Sequence, residues 1–111
     1  MQDTYTYPAV FVYKKTGGIG IYFPDLDGCV SYGETEAIAR KNAREALSLH
    51  LYGMEMDNDP IPLPNSAKNV DLDTDQKFFI TEVYMPPFRA EMQAQGTYFS
   101  QISQEDLAFT N

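Results

Sequence analysis

The sequence predicts an α+β fold: a small, mainly antiparallel sheet with one main helix packed on it and a short helical tail. Two observations predict it. Runs of β-branched and aromatic residues early in the chain are separated by glycine, proline and aspartate turns, which is typical of short strands. An alanine- and leucine-rich stretch with apolar residues at helical spacing follows, and another strand pattern comes after it. The elements are therefore expected in β-β-β-α-β order.

The first strand is predicted from Tyr5 to Lys14. Both of its faces are largely apolar, which indicates burial on both sides or an oligomeric contact. Pro8 has no N–H to donate to a neighbouring strand, so this part of the strand is expected at an edge of the sheet. Residues 15–18 (KTGG) predict a hairpin turn, after which Ile19 to Phe23 returns antiparallel.

An acidic turn is predicted after the second strand. Pro24 ends that strand, and Asp25, Asp27 and Gly28 favour a turn because the carboxylates bond nearby backbone and glycine accepts a positive φ. The chain then returns as a third strand over residues 29–32. These residues specify a strand–turn–strand unit.

The helix is predicted from Glu36 to Tyr52. Thr35 is a suitable N-cap, Glu36 complements the positive end of the helix dipole, and Gly53 is expected to end the helix. Three prolines between residues 58 and 65 predict a rigid connector.

The fourth strand is predicted from Lys77 to Met85, so residues 1–85 form the expected domain. Residues 86–111 form the expected C-terminal tail. Two prolines at its start end the strand, and residues 88–95 and 100–109 are predicted as short helical segments.

The charge balance favours a basic partner. The chain has 8 Lys and Arg against 16 Asp and Glu, which gives a net charge of −8. Nonspecific nucleic-acid binding depends on cations that displace counterions at phosphates, and this composition offers few of them. No apolar run approaches the roughly 20 residues of a membrane span, and the N-terminus lacks signal-peptide features. A cytoplasmic location is expected.

No pattern of acidic residues, cysteine or histidine predicts an active site. Asp25 and Asp27 are explained by their turn, and the aspartates between residues 71 and 75 are typical of a solvated loop. The single cysteine, Cys29, is expected to be a small buried thiol, and His50 has no second histidine at metal-ligand spacing. We therefore expect no catalysis, no cofactor and no metal site.

Five segments, in order and spacing, resemble the HicB antitoxin family. They are YPAVF at 7–11, GG at 17–18, IYFPDLDGCVSYGET at 21–35, ETEA with NAREAL between 34 and 47, and IPLPNS at 61–66. The resemblance covers about residues 5–85 and implies a partial ribonuclease-H-like fold without catalytic activity. It also implies a partner, the HicA-type toxin that cleaves messenger RNA, which is usually basic and would suit this acidic chain.

Many HicB proteins carry a DNA-binding module after this domain. The tail at 86–111 is acidic and lacks a strand and a first helix of adequate length for such a module. Direct DNA binding is therefore not expected, and an apolar tail that docks on a protein is the preferred interpretation.

The candidate partner-binding residues lie between the second strand and the helix: Tyr22, Asp25, Asp27, Tyr32 and Glu34. Two alternatives stay open. One is an RNA-binding module that uses Lys14, Lys15, Arg40, Lys41 and Arg44 and binds less RNA as salt rises. The other is an orphan homodimer without a toxin partner. A homodimer is expected because a small sheet with two apolar faces leaves edges and patches to be covered.

Overall fold

The computed structural model describes residues 1–65 and 71–96. Its elements are β1 (Thr4–Tyr13), β2 (Ile19–Tyr22), β3 (Val30–Gly33), α1 (Glu36–Met56) and β4 (Gln76–Tyr84). A second helix, α2, runs from residue 85 to residue 96, where the described part ends. The α+β class and the predicted β-β-β-α-β order are confirmed. The predicted helical segment at 100–109 lies outside the described residues.

All strand pairs are antiparallel, and the order across the sheet is β3-β2-β1-β4. The two neighbours of β1 differ in length. β4 pairs with β1 from Thr4 to Val12, whereas β2 pairs only with the segment from Val10 to Tyr13. In the part of the chain that the structure describes, the first half of β1 therefore has a neighbouring strand on one side only. Pro8 lies in that half, so its predicted edge position is confirmed.

The two edge strands of the sheet are unequal. β3 has four residues and β4 has nine. The side-chain amide of Asn42, on α1, donates a hydrogen bond of 2.7 Å to the carbonyl of Tyr32 on β3. The short edge is thus partly occupied by the helix that follows it.

The hydrophobic core lies between α1 and one face of the sheet. Its buried members are Tyr5, Tyr7, Ala9, Phe11, Ile19, Ile21, Phe23, Leu26, Cys29, Ala39, Ala43, Leu47, Leu51, Val83 and Met85. The helix approaches the sheet most closely at Gly33, where an added Cβ would lie 2.4 Å from the backbone nitrogen of Ala39. Glycine is required there because any side chain would push the helix away from the sheet.

The N-terminus of α1 is as predicted, but its C-terminus is not. The Thr35 hydroxyl accepts a hydrogen bond from the N–H of Ile38 at 3.2 Å, so the predicted N-cap is confirmed. The prediction that Gly53 ends the helix is wrong: α1 continues to Met56, and the positive φ of 56° belongs to Asn58. Tertiary contacts of the last turn, described below, outweigh the weak helix propensity of glycine.

The junction of β4 and α2 also differs from the prediction. The prolines at 86 and 87 do not separate strand from helix; they lie in the first turn of α2, where a missing N–H costs no intrahelical hydrogen bond. The strand therefore ends at Tyr84 and the helix starts at residue 85, three residues earlier than predicted.

Candidate functional site

The face of the sheet opposite α1, here called the outer face, is apolar. It is formed by the even-numbered residues of β1 and the residues paired with them. Its larger apolar side chains are Val10, Val12, Tyr22, Val30, Tyr32, Phe78, Ile80 and Tyr84. Ile80, Tyr84 and Val30 are 65%, 62% and 63% exposed, which is a large exposure for apolar residues on one sheet.

Two of the predicted partner-binding residues meet on the outer face. Tyr22 lies opposite Val30 and Tyr32 lies opposite Gly20, so the two tyrosines are diagonal neighbours on the β2–β3 pair. The ammonium of Lys14 lies 5.4 Å from the ring centre of Tyr32. Because Gly20 has no side chain, the Lys14 stem can lie over it to reach the ring.

The three predicted acidic residues do not form one cluster. Asp25 and Asp27 lie in the turn between β2 and β3, whereas Glu34 follows the other end of β3. The four residues of β3 separate these positions by roughly 10 Å, at about 3.3 Å per residue. The aromatic part of the predicted site is therefore brought together, and its carboxylates lie at two ends.

Asp25 has a structural contact that the sequence did not predict. Its carboxylate accepts a hydrogen bond of 3.1 Å from the N–H of Asn65, which ties the acidic turn to the proline-rich connector. The hydroxyl of Tyr7 donates to the carbonyl of Pro62 in the same connector. Burial, followed by the negative charges of Tyr5 and Asp25, raises the pKa of Tyr7 above its usual value.

A groove lies between the first half of β1 and this connector, with a volume of about 490 Å³. We call it the β1 groove. Its lining residues are Met1, Gln2, Thr4, Tyr5, Thr6, Tyr7, Asp59, Ile61, Pro62, Leu63 and Pro64. The lining combines hydroxyls, aromatic rings and aliphatic side chains, so the groove suits a peptide better than a charged metabolite.

A buried ionic cluster was missed at the sequence level. Arg89, on α2, binds both carboxylate oxygens of Glu55 at 3.0 and 2.8 Å and the carboxylate of Asp3 at 3.0 Å. Tyr5 donates to Glu55 at 2.9 Å. The partners are separated by 34 residues or more along the chain, so no local pattern could have identified them.

This cluster fixes α2 against the body of the domain. The side chains of Arg89 and Glu55 are 13% and 4% exposed. Hydrogen bonds from Arg89 hold the pKa of Glu55 below its usual value, although burial alone would raise it. Phe88 adds an edge-on contact with Tyr52 at 6.0 Å between ring centres. The last turn of α1 persists because Glu55 is held in this way.

The basic residues of the RNA-binding alternative lie in separate places. Lys14 and Lys15 are in the β1–β2 hairpin, whereas Arg40 and Arg44 line a cleft of about 250 Å³ beside β4. Arg40 is already engaged, at 3.0 Å from Glu36 and 4.3 Å from the ring centre of Phe79. Neither Lys14 nor Lys15 lines the cleft that Arg40 and Arg44 share.

Cys29 is a buried thiol, as predicted. Burial raises its pKa to about 11, and its sulfur lies 3.8 Å from the carbonyl of Ala46. In the described part of the chain, no group of three His, Cys, Asp or Glu residues is placed to hold a metal ion. Nor does any helix there have the length and apolar character needed to cross a membrane.

Comparisons with known proteins agree with one another. The family model of the HicB-like antitoxin of bacterial toxin–antitoxin systems matches residues 7–85. An uncharacterised 14.9 kDa protein from the rep–hol intergenic region of Haemophilus phage HP1 is 35% identical over 77 residues. That match covers 69% of this chain and 57% of the phage protein, so this chain spans little more than half of its relative's length.

Solved structures give the same fold. A chain of the HicA3–HicB3 toxin–antitoxin complex is 31% identical with a TM-score of 0.53, and the match covers 75% of this chain and all of that one (100%). A chain of a toxin–antitoxin complex from Streptococcus pneumoniae is 18% identical with a TM-score of 0.66, and covers 97% of this chain and 99% of its own length. The second likeness concerns the fold alone.

Proposed function

This chain belongs to the HicB-like antitoxin family, and from this premise we propose that it binds and masks a small basic RNA-cleaving toxin of the HicA type. The masking is steric and electrostatic: the domain covers the surface that RNA would reach. The chain carries out no bond-breaking step of its own. Support comes from the 31% identity to a chain of the HicA3–HicB3 complex.

The observation that carries this proposal is the set of exposed apolar side chains on the outer face, namely Val30, Tyr32, Ile80 and Tyr84, which flank the buried Val10. Single exposed apolar residues are normal, but several on one face of one sheet are typical of a protein-binding surface. Tyr22 and Tyr32 lie within it, and tyrosine is enriched in the buried centres of interfaces. Asp25 and Asp27 lie in the turn between β2 and β3, at one end of these strands, where they would meet basic residues of a toxin.

The net charge of −8 supports the same partner. An acidic antitoxin and a basic toxin attract each other before contact, so their association is faster at low salt than at high salt. Charges at the rim of such an interface change the association rate more than the dissociation rate.

The test begins with coexpression of this chain and the product of the adjacent small reading frame. We expect co-purification and rescue of the host cell from the toxicity of that product. A toxin that neither co-purifies with this chain nor is neutralised by it would overturn the proposal.

Charge reversal then locates the surface. Asp27→Lys should slow association because Asp27 is exposed in the turn between β2 and β3, beside Tyr22 at the end of β2. Asp71→Lys is the matched control, since Asp71 is also exposed but lies in the loop before β4. Equal association rates for the two variants would remove the acidic turn from the interface.

We also propose that the chain forms a homodimer through the edge of β4. Even-numbered residues of β4 direct their N–H and C=O groups away from β1, because the N–H of Met85 bonds to Asp3 on the β1 side. A twofold axis at Ile80 would pair that residue with its own copy and Phe78 with Glu82 of the second chain. The nine residues of β4, which form an edge of the sheet among the described strands, support this arrangement.

Ile80→Lys tests the dimer because the axis would place two like charges directly opposite each other. Tyr84→Lys is the control, since the same axis would place that lysine opposite Gln76. Mass measurement by light scattering should give a monomer for the first variant and a dimer for the second. Dimers from both variants, or monomers from the unmodified chain, would contradict this arrangement.

A further inference from the structure

The first half of β1 has an open edge on the side of β2. In the register of β1 and β2, Val10 is the last residue of β1 with a partner, opposite Tyr22. Two residues further along, Pro24 would lie opposite Pro8, but there the chain leaves the sheet for the acidic turn. Among residues 1–65 and 71–96, no strand therefore pairs with the segment from Thr4 to Pro8 on that side.

Hydrogen bonds to the neighbouring segments identify the open groups. On the β4 side, the carbonyl of Asp3 accepts from Met85 and the N–H of Tyr13 donates to Asp75; on the β2 side, the N–H of Lys14 donates to Gly18. The backbone N–H and C=O groups of odd-numbered β1 residues thus point toward β4. Those of even-numbered residues point toward β2 and, before Val10, toward the open side. Thr4 and Thr6 offer an N–H and a C=O there. Within residues 1–65 and 71–96, no backbone group bonds to them.

The β1 groove runs along this open edge. Its opposite wall is the connector, held in place by the contacts of Tyr7 with Pro62 and of Asp25 with Asn65. Prolines at 60, 62 and 64 remove every second N–H from the connector, so the connector is poorly suited to pair with β1 itself. The groove is therefore kept open beside a strand edge that can still form hydrogen bonds.

We propose that the β1 groove binds an extended, basic segment of the toxin, which adds a short strand to β1 in line with β2. The mode is strand addition, in which main-chain hydrogen bonds give affinity and alternate side chains give specificity. Asp59 lines the groove and the carboxylate of Asp25 lies beside its connector wall, so Lys or Arg side chains are favoured. This inference rests on the proposed toxin-binding function and names the contact that the toxin makes.

The test uses two substitutions at one position. Thr6→Pro removes the N–H that faces the groove and leaves the β1–β4 ladder intact, because Thr6 does not bond to β4; Pro8 is a precedent two residues away. Thr6→Val loses the same weak hydroxyl contact with Glu82, at 3.5 Å, but keeps the N–H. Titration with the purified product of the adjacent reading frame should show that the proline variant binds about tenfold more weakly than the valine variant.

Hydrogen exchange of the unmodified chain gives an independent measurement that does not depend on how the variants fold. The amides of Thr4 and Thr6 should exchange rapidly in the free protein and become protected in the toxin complex. The amides of Tyr5 and Tyr7, bonded to β4, should be protected in both states.

The outcomes separate the two proposals. Toxin binding without protection of Thr4 and Thr6, and with equal affinities for the two variants, overturns strand addition and leaves the antitoxin function intact. Absence of toxin binding overturns both. Protection of Thr4 and Thr6 on self-association, before toxin is added, assigns the groove to a second copy of this chain and likewise overturns the proposal.

Discussion

The two faces of the sheet differ in what covers them, although the same strands supply both. On the inner face, Tyr7, Phe11 and the α1 residues Leu47 and Leu51 are almost fully buried. On the outer face, Ile80 and other apolar residues remain largely exposed. Packing on the inner face stabilises the fold. The exposed residues of the outer face contribute less to stability and are available for binding.

β1 shows this division within one strand. Its odd-numbered residues from Tyr5 to Phe11 belong to the hydrophobic core, whereas the even-numbered Thr4 and Thr6 are exposed and line the β1 groove. The odd-numbered side chains of β1 therefore stabilise the fold, whereas the backbone groups of Thr4 and Thr6 remain available for binding. Substitutions on the two faces should consequently have separable effects.

The largest effect is expected from Phe11→Ala. Phe11 is fully buried and its ring centre lies 4.4 Å from that of Phe79, so truncation should lower the free energy of unfolding by about 3–5 kcal/mol. Ile80→Thr on the outer face keeps a β-branched side chain and should cost less than about 1 kcal/mol. Urea unfolding of both variants measures the difference. Similar losses would mean that the outer face is part of the folded core.

Arg89→Met should have an effect of nearly the same size, because it leaves the carboxylate of Glu55 buried without its partner. Removing one member of a buried ion pair costs about 3–5 kcal/mol. Arg40→Met is the control: its ion pair with Glu36 is exposed, and losing it together with the Phe79 contact should cost about 1 kcal/mol or less. Urea unfolding should rank the variants in that order.

Acid should weaken the same cluster. Because the folded-state pKa of Glu55 lies below its ordinary value of 4.5, its contribution to stability is fully present above that pH and is lost as pH falls through the lowered pKa. Stability measured from neutral pH down to about pH 3 should fall less steeply in Glu55→Gln than in the unmodified chain. Parallel pH profiles would show that Glu55 is not linked to folding.

For Cys29, the expected effect is on the reactivity of the thiol rather than on the free energy of unfolding. With a pKa of about 11 and a buried sulfur, Cys29 should react slowly with a thiol reagent at about pH 8 in the folded protein. Unfolding in urea should restore the rate of an ordinary thiol. Rapid reaction of the native chain would show that the inner face opens near β3.

Local patterns predicted the fold better than the site. The order of the elements along the chain and the Thr35 cap depend on residues close in sequence, and both are confirmed. The end of α1 was mispredicted because Arg89 holds Glu55 from 34 positions away. Neither that pair nor the β1 groove has a signature in any single segment, since each depends on how strands of unequal length are placed side by side.

The sequence predicted which residues belong to the candidate site better than it predicted how they are arranged in space. Tyr22 and Tyr32 share a face because both are even-numbered positions on paired strands. Glu34 could not be placed relative to Asp25 from propensities alone, since the length of β3 decides that separation. Pro8 differed from these residues, because its missing N–H alone predicted a position at an edge of the sheet. The tertiary structure was needed to show that the connector lies along that edge.

The hydrogen bond from the side chain of Asn42 to the carbonyl of Tyr32 limits the size of the assemblies that this protein can form. Amyloid-like filaments need two reactive ends on every subunit, so that each addition regenerates a template for the next. Here the β3 edge is short and partly occupied by a neighbouring side chain. Addition of a second copy at β4 and of a partner segment at the first half of β1 would consume the other edges, and growth would then stop at a defined stoichiometry.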